Sequence, residues 1–205
     1  MDIENSVLSD RTPPAERILV TAHDLFYRDG IRATGIDRVI AESCVAKKTF
    51  YRYYPAKNDL IITFLEYRRR VWMTWFNDAL QRHGSDPSAI CLALAEWFKD
   101  GDYRGCAFIN SVVEVGETLP EAIDISLRHK RDMVAAIEKL LPPTSGTAKA
   151  DARAIMLVID GAIVGVQSGE APESVLDSVN RLIVAVCGRK EKKSPPKASA
   201  KSKGR

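Results

Sequence analysis

GIDRVIAESCVAKKTFYRYYPAK, Gly35 to Lys57, is the stretch whose reading decides the fold. Ile36, Val39 and Ile40 fall at i, i+3 and i+4, the spacing of a short amphipathic helix from Ile36 to Ser43. Thr34 and Asp37 stand three apart before it, which suits a capping box. A tight turn near Cys44 is expected next, then a second short helix from Ala46 to Tyr54. Phe50 and Tyr54, four apart, would face a core with Val45, leaving Lys47, Lys48, Thr49, Tyr51 and Arg52 on or beside the outer face. Pro55 cannot continue a helix and disfavours helical dihedrals in the residue before it, so the segment closes there. Two short helices about a turn, the second rich in Lys, Thr and Tyr, read as a helix-turn-helix with its recognition helix.

Local charge supports this reading better than the total does. The chain has 205 residues, 45% hydrophobic, with a formal net charge of +3. From Gly188 onward there are eight Lys and Arg against Glu191, a tail of +7, so the rest of the chain carries −4. Overall basicity therefore says little about nucleic acid. The reading stretch says more: Lys47, Lys48, Arg52 and Lys57 occur with no carboxylate between Ser43 and Asn58. The length suffices for one or two packed domains. No run of eighteen apolar residues indicates a membrane span, and MDIENSVLSDRT has no secretory-signal pattern. Cys44, Cys91, Cys106 and Cys187 are scattered, without metal-ligand or disulfide-framework spacing, which fits a reduced cytosolic setting.

Around this stretch the periodicity is helical throughout. Residues 1–12 are expected to be a flexible polar arm, with Thr12 as N-cap and Pro13 in the first turn of a helix. Ile18, Leu19, Ala22, Leu25 and Phe26 trace its stripe to Gly30, and His23 lies beside the stripe as a partly buried, satisfied histidine. A long helix follows from Lys57 to about His83, roughly 40 Å at 1.5 Å per residue. Its Arg68, Arg69 and Arg70 read as a solvated face, with a DNA role as the alternative. Gly84 to Pro87 opens a helix bearing Ile90, Leu94, Trp97 and Phe98, and CAFINSVVEV (106–115) suits a buried helix or a strand by periodicity alone, with helix expected from the helical pattern on either side. Thr118, Pro120 and Glu121 mark a capping-box start to a helix reaching Pro142, and PPTSGT is a linker. DARAIMLVIDGAIVGVQS (151–168) and the stripe Val175, Leu176, Val179, Leu182, Ile183, Val186 form a last helix pair. That pair carries more apolar surface than one core needs, and its small residues allow close approach. Ile155, Val158, Gly161, Ala162, Gly165, Val175, Val179, Leu182 and Ile183 are therefore expected at a two-fold dimer interface.

From Arg17 to Leu65 the chain resembles the N-terminal domain of TetR-family transcriptional regulators. Phe26, Gly30, Thr34, Val45, Thr49, Tyr51, Tyr54 and Lys57 follow that pattern without a gap, over about the first third of the chain. Two departures stand out: Cys44 replaces a turn glycine, and Ala56 replaces a Ser at a helix N-cap. The resemblance implies an all-α protein, with a DNA-binding domain at 13–58 (motif 35–54) and a helical effector-binding and dimerisation domain at 59–187; the basic tail at 188–205 has no apolar content to fold and is expected to be disordered. It implies DNA contacts from Thr34, Gly35, Ala46, Lys47, Lys48, Thr49, Tyr51, Arg52, Tyr53 and Lys57. Lysine can donate to guanine O6 or N7, a threonine methyl can meet a thymine methyl, and tyrosine hydroxyls can meet phosphates. The implied partners are a palindromic double-stranded operator, a second copy of the chain and a small organic effector, with no cofactor and no membrane. Trp72, Phe76, Trp97, Phe98, Phe108 and Asn110 are candidate effector-lining residues, and plain core is the bland reading of each. The expected outcome is a cytoplasmic, nucleoid-associated repressor released from its operator by the effector.

Rival readings are few. His23, His83 and His129 are far apart and no phosphate-binding glycine loop occurs, so an enzyme is not indicated. A constitutive DNA-binding protein without effector leaves the large apolar C-terminal body unexplained. A thiol switch at Cys91 or Cys106 is the other alternative, although apolar surroundings raise thiol pKa and lower reactivity. The tail is either solubilising disorder or an added sequence-independent DNA attraction.

Overall fold

A computed structural model describes residues 12–142 and 147–188; the expected arm up to residue 11, positions 143–146 of the linker and the tail from 189 lie outside these. Among the described residues all regular structure is helical: α1 (Pro14–Asp29), α2 (Ile36–Glu42), α3 (Lys47–Tyr53), α4 (Lys57–Arg82), α5 (Ala89–Phe98), α6 (Ala107–Val115), α7 (Pro120–Glu138), α8 (Ala148–Gln167) and α9 (Pro172–Cys187). None is long and apolar enough to cross a membrane.

α1 packs on α2, α3 and the first half of α4, forming the small reading unit. Its core is the expected stripe: Ile18, Ala22, Leu25 and Phe26 meet Ile31, Val39, Phe50, Leu60 and Phe64, all nearly inaccessible. Phe26 and Phe64 lie edge to face at 5.4 Å. Phe50 is fully buried, so removing its ring would cost ~3–5 kcal/mol and free α3 from its support. α4, 26 residues long, leaves this unit and runs into the body, where it packs on α5, α6 and α7. α7 lies against α6 and α8, α8 against α9, and α9 returns to α5. One continuous apolar core joins the two units.

Several local expectations change. α1 starts one residue later than the Thr12 cap implies: Pro13 is the N-cap and Pro14, already fixed near helical φ, takes the first helical position. The Thr34–Asp37 capping box does not form, because Thr34 is fully buried and donates its hydroxyl to the Gly30 carbonyl (2.8 Å). Thr118 likewise caps nothing: Leu119 is the α7 N-cap without a side-chain bond, and Thr118 turns back to the Val115 carbonyl. CAFINSVVEV resolves as helix, α6 over Ala107–Val115, so the strand alternative is excluded. α8 starts at Ala148, ahead of the expected residue 151.

The arginine run requires the largest correction. Arg70 is exposed, and Arg69 is ion-paired to Asp132 (2.6 Å) and Glu66 (3.5 Å), as a solvated face requires. Arg68 is 3% exposed. It continues the inward stripe Ile61, Phe64, Leu65, Trp72, Phe76 of α4, so helical phase, not charge, decides where it points.

Candidate nucleic-acid interface

The reading surface follows from which side of α3 is needed for support. Val45, Phe50 and Tyr54 are buried beneath it. Ala46, Lys47, Lys48, Tyr51, Arg52 and Tyr53 are exposed and Thr49 is half-buried at the edge. Tyr51 and Tyr53 are each 41% exposed, unusual for aromatic rings with a choice of burial. Arg52 lies over the Tyr53 ring at 5.0 Å. Lys47 pairs with Asp37 on α2 at 3.1 Å, and this contact raises its pKa. Lys48 makes no ion pair among the described residues and is the cation free to meet an incoming acceptor. Between the helices, Cys44 adopts φ 53°, the left-handed conformation that favours glycine.

Other implied contact residues are placed differently. The hydroxyl of Thr34 is directed into the protein, so its side chain is a plug under the α1–α2 connection and not a contact group. Gly35 is open on its outer side: a Cβ there would meet nothing within 4 Å. Lys57 is half-buried, with its ammonium 2.6 Å from the Ile31 carbonyl and 5.9 Å from the centre of the Phe26 ring. Burial lowers its pKa, opposed by the nearby Glu114. In this position Lys57 ties the start of α4 to the loop that presents Gly35. Ala56 offers no side-chain acceptor at the α4 N-terminus, and only half a capping box remains, the Ala56 N–H donating to Asp59 at 2.9 Å.

The candidate effector residues divide between two spaces. Trp72, Phe76, Trp97, Phe98 and Phe108 are all buried. Trp72, Trp97 and Phe108 border an internal cavity of about 10 Å³ that also touches Arg68, His129 and Met133. Phe76 and Phe98 do not reach it and are core packing. Asn110 instead lines an open cleft of about 560 Å³ at the junction of the two units, together with Tyr27, Tyr103, Arg104, Glu114 and Gln167. At this junction the Tyr27 hydroxyl bonds the Gly105 carbonyl and the Arg104 N–H (3.1 Å each), and Glu114 accepts the Arg32 N–H at 2.8 Å. Sequence reasoning missed Arg68 and His129 as interior groups. The available signal was phase: His129 falls four after Ile125 and four before Met133 on the α7 stripe. Of the two thiols, Cys91 is driven by burial to a pKa of about 11, and Cys106 is 5% exposed with the Lys130 ammonium 3.8 Å from its sulfur.

The expected dimer residues also divide. Ile155, Ala162, Val175, Val179 and Ile183 are buried within the subunit, so they hold the α8–α9 pair onto the body and offer nothing to a partner. Val158 and Gly165 are half-buried; Gly161 and Leu182 face outward. Beside them stand exposed residues the sequence reading did not select: Leu157 (67%), Val164 (45%) and Val184 (61%). Leu157, Gly161 and Val164 share one outward face of α8 at i, i+4, i+7.

Comparison with known proteins agrees with this architecture. Residues 18–63 match the protein-family model described as bacterial regulatory proteins, tetR family. A crystal structure of a TetR-family transcriptional regulator from Streptomyces coelicolor superposes with a TM-score of 0.74 at 27% identity, covering 85% of this chain and 95% of that one. Among curated proteins, an uncharacterised HTH-type transcriptional regulator of Lactococcus lactis subsp. lactis is 23% identical over 49% of this chain and 54% of its own length. The uncharacterised HTH-type regulator YxaF of Bacillus subtilis (strain 168) is 27% identical over 42% of this chain and 46% of its own. The matched region thus spans about half the length of these curated relatives.

Proposed function

We propose that this chain, whose residues 18–63 match the tetR-family model, is not an enzyme but a cytoplasmic DNA-binding repressor that holds a pseudo-palindromic operator as a homodimer and releases it when a small organic effector binds. The observation that carries this reading is the ridge of α3, where Lys48, Tyr51, Arg52 and Tyr53 stand exposed with no carboxylate on their own helix. α3 enters the major groove, with Lys47, Lys48 and Thr49 at base edges and Tyr51, Tyr53 and Arg52 on phosphates. Lys47 must leave Asp37 to do so; both partners are well exposed, and such pairs yield readily to a polyanion. Gly35 and Ala46, the N-caps of α2 and α3, and the start of α4 at Lys57 would offer backbone N–H groups to phosphates.

One reading head discriminates poorly, and two-fold pairing doubles its contacts and sets the half-site spacing. The exposed face Leu157, Gly161 and Val164 of α8, with Leu182 of α9, is the surface on which a second copy would sit. An effector acts by preferring the conformer whose heads fit DNA poorly, a coupling of ~1–3 kcal/mol. The second reading, a thiol switch, is favoured only by the Lys130–Cys106 approach; it requires that peroxide weaken operator binding and that dithiothreitol restore it.

The test is fluorescence anisotropy on a labelled duplex from upstream of the protein's own gene against a shuffled duplex, near physiological salt. Preference of about 10³-fold or more is expected for specific binding. Equal affinity for both duplexes rejects the reading.

A further inference from the structure

Arg68 stands out as the buried charge that the DNA-binding reading does not use. Its side chain is 3% exposed, and among the described residues no carboxylate lies within 4 Å of it. One face of the guanidinium lies 4.2 Å from the centre of the Tyr27 ring. One of its nitrogens is 3.2 Å from His23 Nε2, and His23 Nδ1 is 2.9 Å from Asp24. Arginine can only donate, so His23 Nε2 must accept and its Nδ1 must carry the hydrogen bonded to Asp24. His23 is then neutral, and the nearest carboxylate reaches Arg68 only through an imidazole. A buried cation with no direct counter-ion is a costly feature unless something anionic meets it.

What Arg68 faces is the small cavity. His129 borders the same cavity and is 3% exposed, with Nδ1 lacking a hydrogen-bond partner among the described residues. The imidazole stacks on Phe108 at 3.9 Å with an 18° interplanar angle, so its edge, not its face, is left for a polar partner. Trp72 and Trp97, with ring centres 4.2 Å apart and planes inclined at 59°, form an apolar side. Met133 and Met156 also line it, and methionine re-packs more easily than any branched residue; Lys130, the other cation at its border, is already paired with Asp160. At about 10 Å³ the cavity holds one water-sized group, the size of one end of a ligand. Ala107 borders both this cavity and the cleft of about 560 Å³, and Tyr27, which covers Arg68, also lines that cleft. A route from the cleft to Arg68 therefore passes Tyr27 and Ala107.

We infer that the effector is a small organic monoanion, a carboxylate on a flat apolar body, whose charged end pairs with Arg68 beside His129 and whose body lies between the Trp72–Trp97 side and the junction cleft. Its entry displaces Tyr27 from the Gly105 and Arg104 backbone, loosening the joint between the reading unit and the body. This gives the ligand the differential contact with the two conformers that effector action requires.

The inference rests on the effector-released reading above, so its test is independent of DNA. Full-length protein is exposed to sodium benzoate, 1-naphthoate, indole-3-acetate and hexanoate at millimolar concentration, each beside its neutral carboxamide. Thermal midpoint and tryptophan fluorescence are both read. At least one carboxylate should raise the midpoint and change the emission while its amide does neither. Arg68→Met should weaken that carboxylate roughly 30-fold or more, as expected when one partner of a buried charge pair is removed. The same variant, without added carboxylate, should melt at or above the wild-type temperature, because an apolar side chain replaces a buried cation. A merely structural Arg68 predicts the opposite, a lower midpoint, and that result overturns the inference. So do carboxylates and amides acting alike, no carboxylate acting at all, or sodium chloride or phosphate at matched ionic strength reproducing the shift. A protein that prefers its own promoter but ignores every carboxylate retains the DNA reading and loses this one. A protein that takes a carboxylate yet shows no promoter preference does the reverse.

Discussion

Lys48 carries the clearest single-residue expectation. It is exposed and free of the intramolecular pairing that holds Lys47, so its loss is felt only when DNA is present. Lys48→Ala should leave the melting temperature unchanged and cost ~1–3 kcal/mol of operator affinity, with relaxed base choice at one position, measured by anisotropy on single-base operator variants. Cys44 gives a stability expectation. Its φ of 53° is a strained position for a side chain, by ~1–2 kcal/mol, whereas glycine adds unfolded-chain entropy worth ~0.5–1 kcal/mol. Cys44→Gly should therefore shift the urea midpoint upward by ~0–1 kcal/mol in stability; a fall would mean the thiol contributes contacts of its own. His129 sets a pH dependence. Desolvation, then Lys130, Arg69 and Arg68, hold its pKa well below 6.5, so the folded protein keeps it neutral. In the unfolded chain it takes a proton below about pH 6.5. Stability is then fully present above that pH and falls as pH drops towards the folded value, by up to about 1.4 kcal/mol per pH unit for this one site. His23, also lowered by burial despite Asp24, adds in the same direction. His129→Phe keeps a flat ring against Phe108 and should flatten the acid slope of thermal stability between pH 6.5 and 5.

At the scale of elements, α4 joins the small N-terminal unit to the body, and its N-terminus is its least supported point. Lys57 holds the Ile31 carbonyl, Asp59 takes the Ala56 N–H, and no side chain caps the free N–H groups. Ala56→Ser supplies that acceptor and completes the capping box with Asp59, so it should stabilise the protein by ~1 kcal/mol, read from chemical unfolding. Greater rigidity at this end should also weaken the coupling between effector and DNA. The arrangement of α1, α2 and α3 was legible because Ile18, Leu25, Phe26, Val39 and Phe50 each repeat at helical spacing and have only one way to be buried together. Cap assignments were less legible. Thr34 and Thr118 carry the right spacing, but a hydroxyl bonds whichever acceptor the fold brings nearest, and for both that acceptor is a preceding carbonyl.

For the whole molecule, the proposed homodimer makes pairing the step on which operator recognition would depend. Leu157 and Leu182 are exposed on the last helix pair, while their neighbours Ile155 and Ile183 are committed to the subunit's own core. Leu157→Glu and Leu182→Glu place charges on the outer face without disturbing that core. Each should convert the dimer to monomers in analytical ultracentrifugation and lower operator affinity at least tenfold, with the melting of the monomer still cooperative. Retained dimers would move the interface elsewhere on the surface.

The helix-turn-helix segment and most of the helical body were determined by the sequence alone, since a period of 3.6 residues, proline stops and a carboxylate-free basic stretch each constrain only neighbours along the chain; at 106–115, where periodicity suited helix or strand, the fold made the choice. Which apolar residues are left outside, and which charge is taken inside, was decided by the tertiary structure. Ile155 and Leu157 are alike in chemistry, as are Arg68 and Arg70; helical phase separates each pair only once it is known which face the other helices cover. One of each pair is enclosed by helices distant in sequence, and burial depends on what those helices cover.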